Sequence, residues 1–216
     1  MYSKEVGFVL KRFLPSTHKI SLLTQSLGKV NVIVKKTNIL QRIWPGMVVS
    51  CQLDLLFEAT YTCEDIEIIE IPPVLTAHDT YLVHHLLEIC YYFIPLANPC
   101  SEVFDHLFFS FSMFLNKHYF KNNFDIIKRI LILRLLHFSG TLSSELCGNT
   151  TLFDRISPYS LDIKDEQKVE SISLLINEVH KIGLKTVDRL IFDCIKTHPS
   201  FKLLKTVSFL YEAKSL

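Results

Sequence analysis

The chain has 216 residues, 49% of them apolar, with only six glycines and eight prolines, which excludes a disordered or collagenous protein and leaves room for one large domain or two small ones. A net charge of +1 conceals a division. Lys4, Lys11, Arg12, Lys19, Lys29, Lys35, Lys36 and Arg42 face a lone Glu5 in the first fifty residues; the next twenty-five carry Asp54, Glu58, Glu64, Asp65, Glu67 and Glu70 with no Lys or Arg. A dipolar N-terminal region of this kind suits an oriented, polyanionic partner.

No apolar h-region with a small-residue cleavage site opens the chain, so a cytoplasmic protein is expected. The most apolar windows, around Tyr81–Ala97 and Ile126–Phe138, are interrupted by His84, His85, Glu88, Arg129 and Arg134, and they fall short of the roughly 20 residues a bilayer demands. They read as buried helices, not membrane spans. The six cysteines form no C-x-x-C pair and read as reduced core thiols.

In chain order, strands are expected over Val6 to Phe13, Lys19 to Thr24, Val30 to Val34, Val49 to Phe57 and Asp65 to Ile71. The signal is period-2 alternation, clearest at Val30, Val32 and Val34 and at Val49, Cys51, Leu53, Leu55 and Phe57. Turns are marked by Leu14-Pro15-Ser16, Leu27-Gly28 and Pro45-Gly46. Five short strands in about 70 residues fit a small barrel of the OB type. Pro72-Pro73 ends it, since two prolines cannot continue a central strand.

The rest reads as helical. Leu82, Leu86, Ile89, Phe93 and Leu96 form one stripe, and Val103, Leu107, Phe111 and Phe114 a second. Phe104, Phe108, Phe109 and Leu115 make that second helix apolar nearly all round, which predicts a central position. A third helix is predicted from Phe124 to Phe138, ending where Gly140 can adopt a left-handed cap. A polar connection over 140–165 follows, long for a compact domain unless it has local structure. Later stripes fall on Val169, Ile172, Ile176 and Val179, on Val187, Leu190, Ile191 and Cys194, and on Leu203, Val207 and Leu210. The predicted fold is therefore α+β in two parts: an OB-like five-stranded barrel over 1–73 and an all-helical domain over 74–216.

Cationic grooves on such barrels follow phosphates, so Lys11, Arg12, Lys19, Lys29, Lys35, Lys36 and Arg42 are candidate nucleic-acid contacts, with Phe13 and Trp44 as stacking platforms. An ordinary solvated face is the alternative for any one of them. Phe8 reads as core. His84, His85, His106 and His118 with Glu88 contain no H-E-x-x-H, and a hydrogen-bonded core histidine is the simpler reading of His85. Neither a G-x-S-x-G elbow nor a phosphate-binding glycine loop occurs, and Cys147 has no His near it in sequence. No enzyme, metal or cofactor is expected.

Several short elements, taken in order, carry a resemblance: Val9-Leu10 closing the first strand, T-x-x-x-G-K-V from Thr24 to Val30, Lys35-Lys36 ending the third strand, Pro45-Gly46 before the fourth, Tyr81-Leu82-Val83 opening the first long helix, and Leu204-Lys205-Thr206. In that order and spacing the chain resembles the bacterial recombination mediator RecO over nearly its whole length. Two departures stand out. The K-G-A-R-R run of many members is replaced by Lys35-Lys36-Thr37-Asn38, and only Cys147-Gly148 remains where some members hold four zinc-ligating cysteines.

The resemblance implies a cytoplasmic, nucleoid-associated DNA-repair factor that binds and anneals single- and double-stranded DNA. With RecR it would help RecA replace single-strand-binding protein. It further implies a basic, apolar-floored pocket in the helical domain for the acidic, Phe-ended tail of single-strand-binding protein, with Arg129, Arg134, Lys202 and Lys205 as the equivalents. Lys128 and Arg134 lie about 120° apart on their helix, so one basic face is not expected there. Two other readings stay open: a generic OB-fold protein for single-stranded nucleic acid, and a helical adaptor whose barrel no longer contacts DNA.

Overall fold

The computed structural model describes residues 3–13, 18–71, 77–115, 123–147, 150–156 and 165–207. The Leu14-Pro15-Ser16 turn, the Pro72-Pro73 boundary, His118, Gly148 and Leu210 lie outside them, as do the side chains of Leu115 and Val169. Strands β1 (Ser3–Arg12), β2 (Lys19–Thr24), β3 (Gly28–Val34), β4 (Val48–Phe57) and β5 (Thr60–Glu70) close a barrel in the order β1-β2-β3-β5-β4. Among the described barrel strand pairs β3–β5 alone is parallel, and a single helical turn, α1 (Thr37–Leu40), precedes β4. The N-terminal part is an OB-like barrel.

The alternation that announced the strands also fills the barrel. Val30, Val32 and Val34 are fully buried with Val9, Ile20, Leu22, Val49 and Cys63. Two expectations need correction. β5 begins at Thr60, not Asp65, because Glu58 takes a left-handed φ of 45° and closes a two-residue turn that pairs Phe57 directly with Thr60. Leu55 and Phe57, each 58% exposed, do not line the core; among the described residues β1 pairs with β4 from Phe8 to Ser3, opposite Val48 to Leu53, and the β4–β5 hairpin runs on past that point.

Helices α2 (Ala77–Phe93), α3 (Ser101–Leu115), α4 (Phe124–Phe138), α7 (Asp165–Ile182) and α8 (Leu184–Thr197) follow. The 140–165 connection contains two short helices, α5 (Ser144–Cys147) and α6 (Thr150–Ile156). α4 ends as expected, with Gly140 at φ 73° and its N–H donating to the His137 carbonyl. It is α4, not α3, that packs against α2, α3, α6, α7 and α8. α3 is apolar on so many sides because it lies between α4 and the barrel: Phe104 and Phe111 approach the buried Phe8 ring at 5.3 and 5.4 Å. Phe8, Leu10, Leu23 and Val48, on the barrel's outside, share one continuous apolar core with the helices.

The T-x-x-x-G-K-V segment is the polar latch of this seam. Thr24 Oγ1 accepts the Leu27 N–H at 3.1 Å and donates to the Gly28 carbonyl at 3.2 Å, which shapes the turn. Gly28 adopts φ 69°, and a Cβ there would stand 1.9 Å from the Asn98 carbonyl oxygen of the α2–α3 loop. Ala97 N–H donates to the Lys29 carbonyl at 2.8 Å, and Lys29 Nζ donates to the Tyr91 carbonyl at 2.5 Å. The turn therefore needs glycine for conformation and for close approach together.

Candidate nucleic-acid interface

The β1–β2 register slips between Val9 and Lys11, so Leu10 forms a bulge. Bulges bend a strand and re-aim the residues beyond them. Here Phe8 and Leu10 face the helices, and Lys11 turns the same way towards the C-terminal end of α2. Its ammonium lies 5.3 Å from the Phe13 ring centre, 4.5 Å from Tyr91 and 5.5 Å from Tyr92. Lys19 approaches Phe13 at 5.1 Å, and the Arg12 guanidinium lies 5.5 Å from Trp44. Trp44 is 54% exposed; the other members are half-buried. Among the described residues no carboxylate forms an ion pair with Lys11, Arg12 or Lys19.

This gives three cations and four rings at one end of the barrel. A cation–π contact at an exposed site is worth about 0.5–1 kcal/mol, so a phosphate can draw Arg12 and Lys19, with one ring each, away at little cost, and Lys11, with three rings, at a larger one. The exposed Trp44 ring and the open sides of the half-buried rings are then available for stacking.

The remaining basic candidates behave differently. Lys29 is corrected from surface contact to seam: it is 8% exposed, bound to the Tyr91 carbonyl, and burial lowers its pKa, a trend opposed by Cys90. Lys35 and Lys36 lie beside β5, where Glu64 pairs with Lys35 at 2.6 Å and Asp65 pairs with Lys36. The hydrogen bond to Asp65 and its charge raise the Lys36 pKa. The expected lack of local carboxylates is thus corrected, since the parallel β3–β5 pairing brings the acidic strand alongside the end of the basic one. The shallow depression lined by Lys35, Gln52, Asp54, Thr62, Glu64 and Asp65 sets three carboxylates against one ammonium and repels phosphate. Arg42 is exposed in the loop leading to Trp44.

The expected tail pocket is not assembled from its four residues. Arg129 makes a bidentate pair with Asp188 (Nε to Oδ1 2.6 Å, Nη2 to Oδ2 2.8 Å), and its Nη1 donates to the Asp125 carbonyl at 2.8 Å. It braces α4 on α8. Arg134 is 2% exposed, with its guanidinium 5.6 Å from the Phe138 ring. Lys202 and Lys205 alone of that set are exposed.

His85 is a core residue, as expected: fully buried, with Nδ1 2.8 Å from Thr206 Oγ1. Thr206 Oγ1 donates to Glu88 Oε2 at 2.7 Å, so His85 Nδ1 must carry the hydrogen. Glu88 also accepts the backbone N–H groups of Lys205 and Thr206, which holds the L-K-T element against α2. Among the described residues no three His, Cys, Asp or Glu side chains are grouped to hold a metal ion, and no helix is long and apolar enough to cross a membrane.

Tyr91 and Tyr92 escaped the sequence reading. The signal was two adjacent tyrosines near the end of an otherwise apolar helix, where phenol groups favour a boundary between core and water. No protein-family model matches the chain, and no curated protein matches it significantly.

Proposed function

We propose that this chain is a non-enzymatic nucleic-acid-binding protein that acts as a DNA-repair and recombination mediator of the RecO kind. One observation carries the reading: Lys11, Arg12 and Lys19 stand unopposed by carboxylates among the described residues, interleaved with exposed or half-exposed rings, at one end of an OB-like barrel. Lys and Arg at that end neutralise phosphates and release condensed counterions; the rings accept bases. Neutralising two strands at once offsets their mutual repulsion, so annealing requires no chemical step. RecR, RecA and the single-strand-binding-protein tail enter as partners through the resemblance alone.

A second reading, a helical adaptor that no longer holds DNA, is favoured by the Lys35–Glu64 and Lys36–Asp65 pairs and the burial of Lys29. Salt separates the two. Titrating a labelled oligo-dT from about 50 to 200 mM salt is expected to give a log–log slope near −2, roughly −0.7 for each of three contacts. A slope of zero, or no binding, overturns the mediator reading in favour of the adaptor.

A further inference from the structure

Three rings surround the Lys11 ammonium, and they come from both halves of the molecule: Phe13 from the barrel, Tyr91 and Tyr92 from α2. Tyr91 and Tyr92 meet edge-on, with centres 4.8 Å apart and planes at 82°, and Phe13 meets Tyr91 at 6.3 Å and 63°. The rings thus form the walls of a cage, not a stack. We propose that this cage is a subsite for one unpaired nucleobase, held in the free protein by Lys11 as a placeholder. The proposal rests on the nucleic-acid reading above and adds its base-recognition element.

Aromatic cages also suit quaternary ammonium groups. The surroundings argue against that here. Lys11 already fills the cage, Lys19 lies 5.1 Å from Phe13, and Lys29 Nζ lies 5.3 Å from the Tyr91 ring. A cationic ligand would meet three ammonium groups, whereas a polyanion meets the same three as attractions. When a strand arrives, Lys11 swings from the rings to a phosphate and the adjoining base takes its place. A base paired within a duplex does not present its faces in this way, so the subsite selects single strands.

The cage depends on the latch. The carbonyl of Tyr91 accepts Lys29 Nζ, and Ala97 N–H donates to the Lys29 carbonyl, so the tyrosines are held in register with the barrel's β1 end. The subsite is therefore pre-organised by the docking of the two halves.

The test compares oligo-dT with a strand of equal length made of abasic deoxyribose phosphates, using the full chain. Wild type is expected to bind oligo-dT about tenfold more tightly than the abasic strand. Tyr91→Leu and Tyr92→Leu should each remove most of that preference without lowering abasic affinity, since each frees Lys11 from one ring and leaves every cation in place. Tyr91→Phe, which keeps both the ring and the carbonyl bound by Lys29, should retain the preference. Lys11→Met should keep it too but lower the salt slope by about one contact. Equal binding of the two strands by wild type, or a preference that survives in both leucine variants, overturns the subsite alone. Failure to bind either strand overturns the nucleic-acid reading and the subsite with it.

Discussion

Replacing Gly28 with alanine is expected to destabilise the protein by about 2–5 kcal/mol, from roughly 1–2 for left-handed strain and about 1–3 for overpacking. Both causes act at one atom. Gly28 has φ 69°, and the new Cβ would lie 1.9 Å from the Asn98 carbonyl oxygen and 2.4 Å from its carbon, backbone atoms that cannot rotate away. The loop must retreat, and with it the Ala97-to-Lys29 hydrogen bond that ties β3 to the α2–α3 connection. Gly140 supplies the control. It has φ 73° with nothing within 4 Å of its Cβ position, so Gly140→Ala should cost only the strain, about 1–2 kcal/mol. Urea unfolding of both variants decides the matter: equal losses would show that close approach at the latch carries no weight.

Mild acid should destabilise the fold by a comparable amount. Burial holds the imidazoles of His85 and His106 at a pKa of about 3, against an ordinary value of 6.5, and the nearby Arg134 adds to the effect at His106. The unfolded chain binds a proton at each as pH falls below about 6.5; the folded chain does not until pH nears 3. Stability is therefore complete above the unfolded pKa and declines as pH drops. Between pH 6.5 and 5 each histidine contributes a loss on the order of 2 kcal/mol. Burial is the origin, and the core hydrogen bonds do not offset it: His85 donates to Thr206, and His106 Nε2 lies 2.8 Å from the Leu131 carbonyl, a bond that on its own would raise the His106 pKa. His106→Gln, which can still donate to that carbonyl, should make the decline shallower. Unfolding free energies that stay level from pH 8 to 5 would contradict this assignment.

Much of the architecture was legible along the chain, because alternation at Val30, Val32 and Val34 and the stripe Leu82, Leu86, Ile89 and Phe93 on α2 record which face is buried; Leu96, expected on that stripe, lies past the end of α2 and is exposed. What was not legible depends on residues brought together from afar. Nothing in Glu58 announces a left-handed turn, so the start of β5 was read late. The G-K-V turn was recognisable as a turn, but its role as a latch depends on Asn98 and Tyr91. Counting charges found the basic set without showing that β3 and β5 run parallel, which sets Glu64 against Lys35. Tyr91 and Tyr92 carried no signal of a neighbouring cation, because it is beyond the Leu10 bulge that Lys11 meets them.

The most direct test of the account compares two charge reversals by salt-dependent single-strand titration. Lys11→Glu/Arg12→Glu/Lys19→Glu should weaken binding on the order of a hundredfold at low salt and leave little salt dependence, because it removes the cations that have no carboxylate partner among the described residues. Lys35→Glu/Lys36→Glu should change affinity by no more than about threefold, since Glu64 and Asp65 already offset those charges. The opposite order of effects would contradict the placement of the interface at the Lys11 end of the barrel.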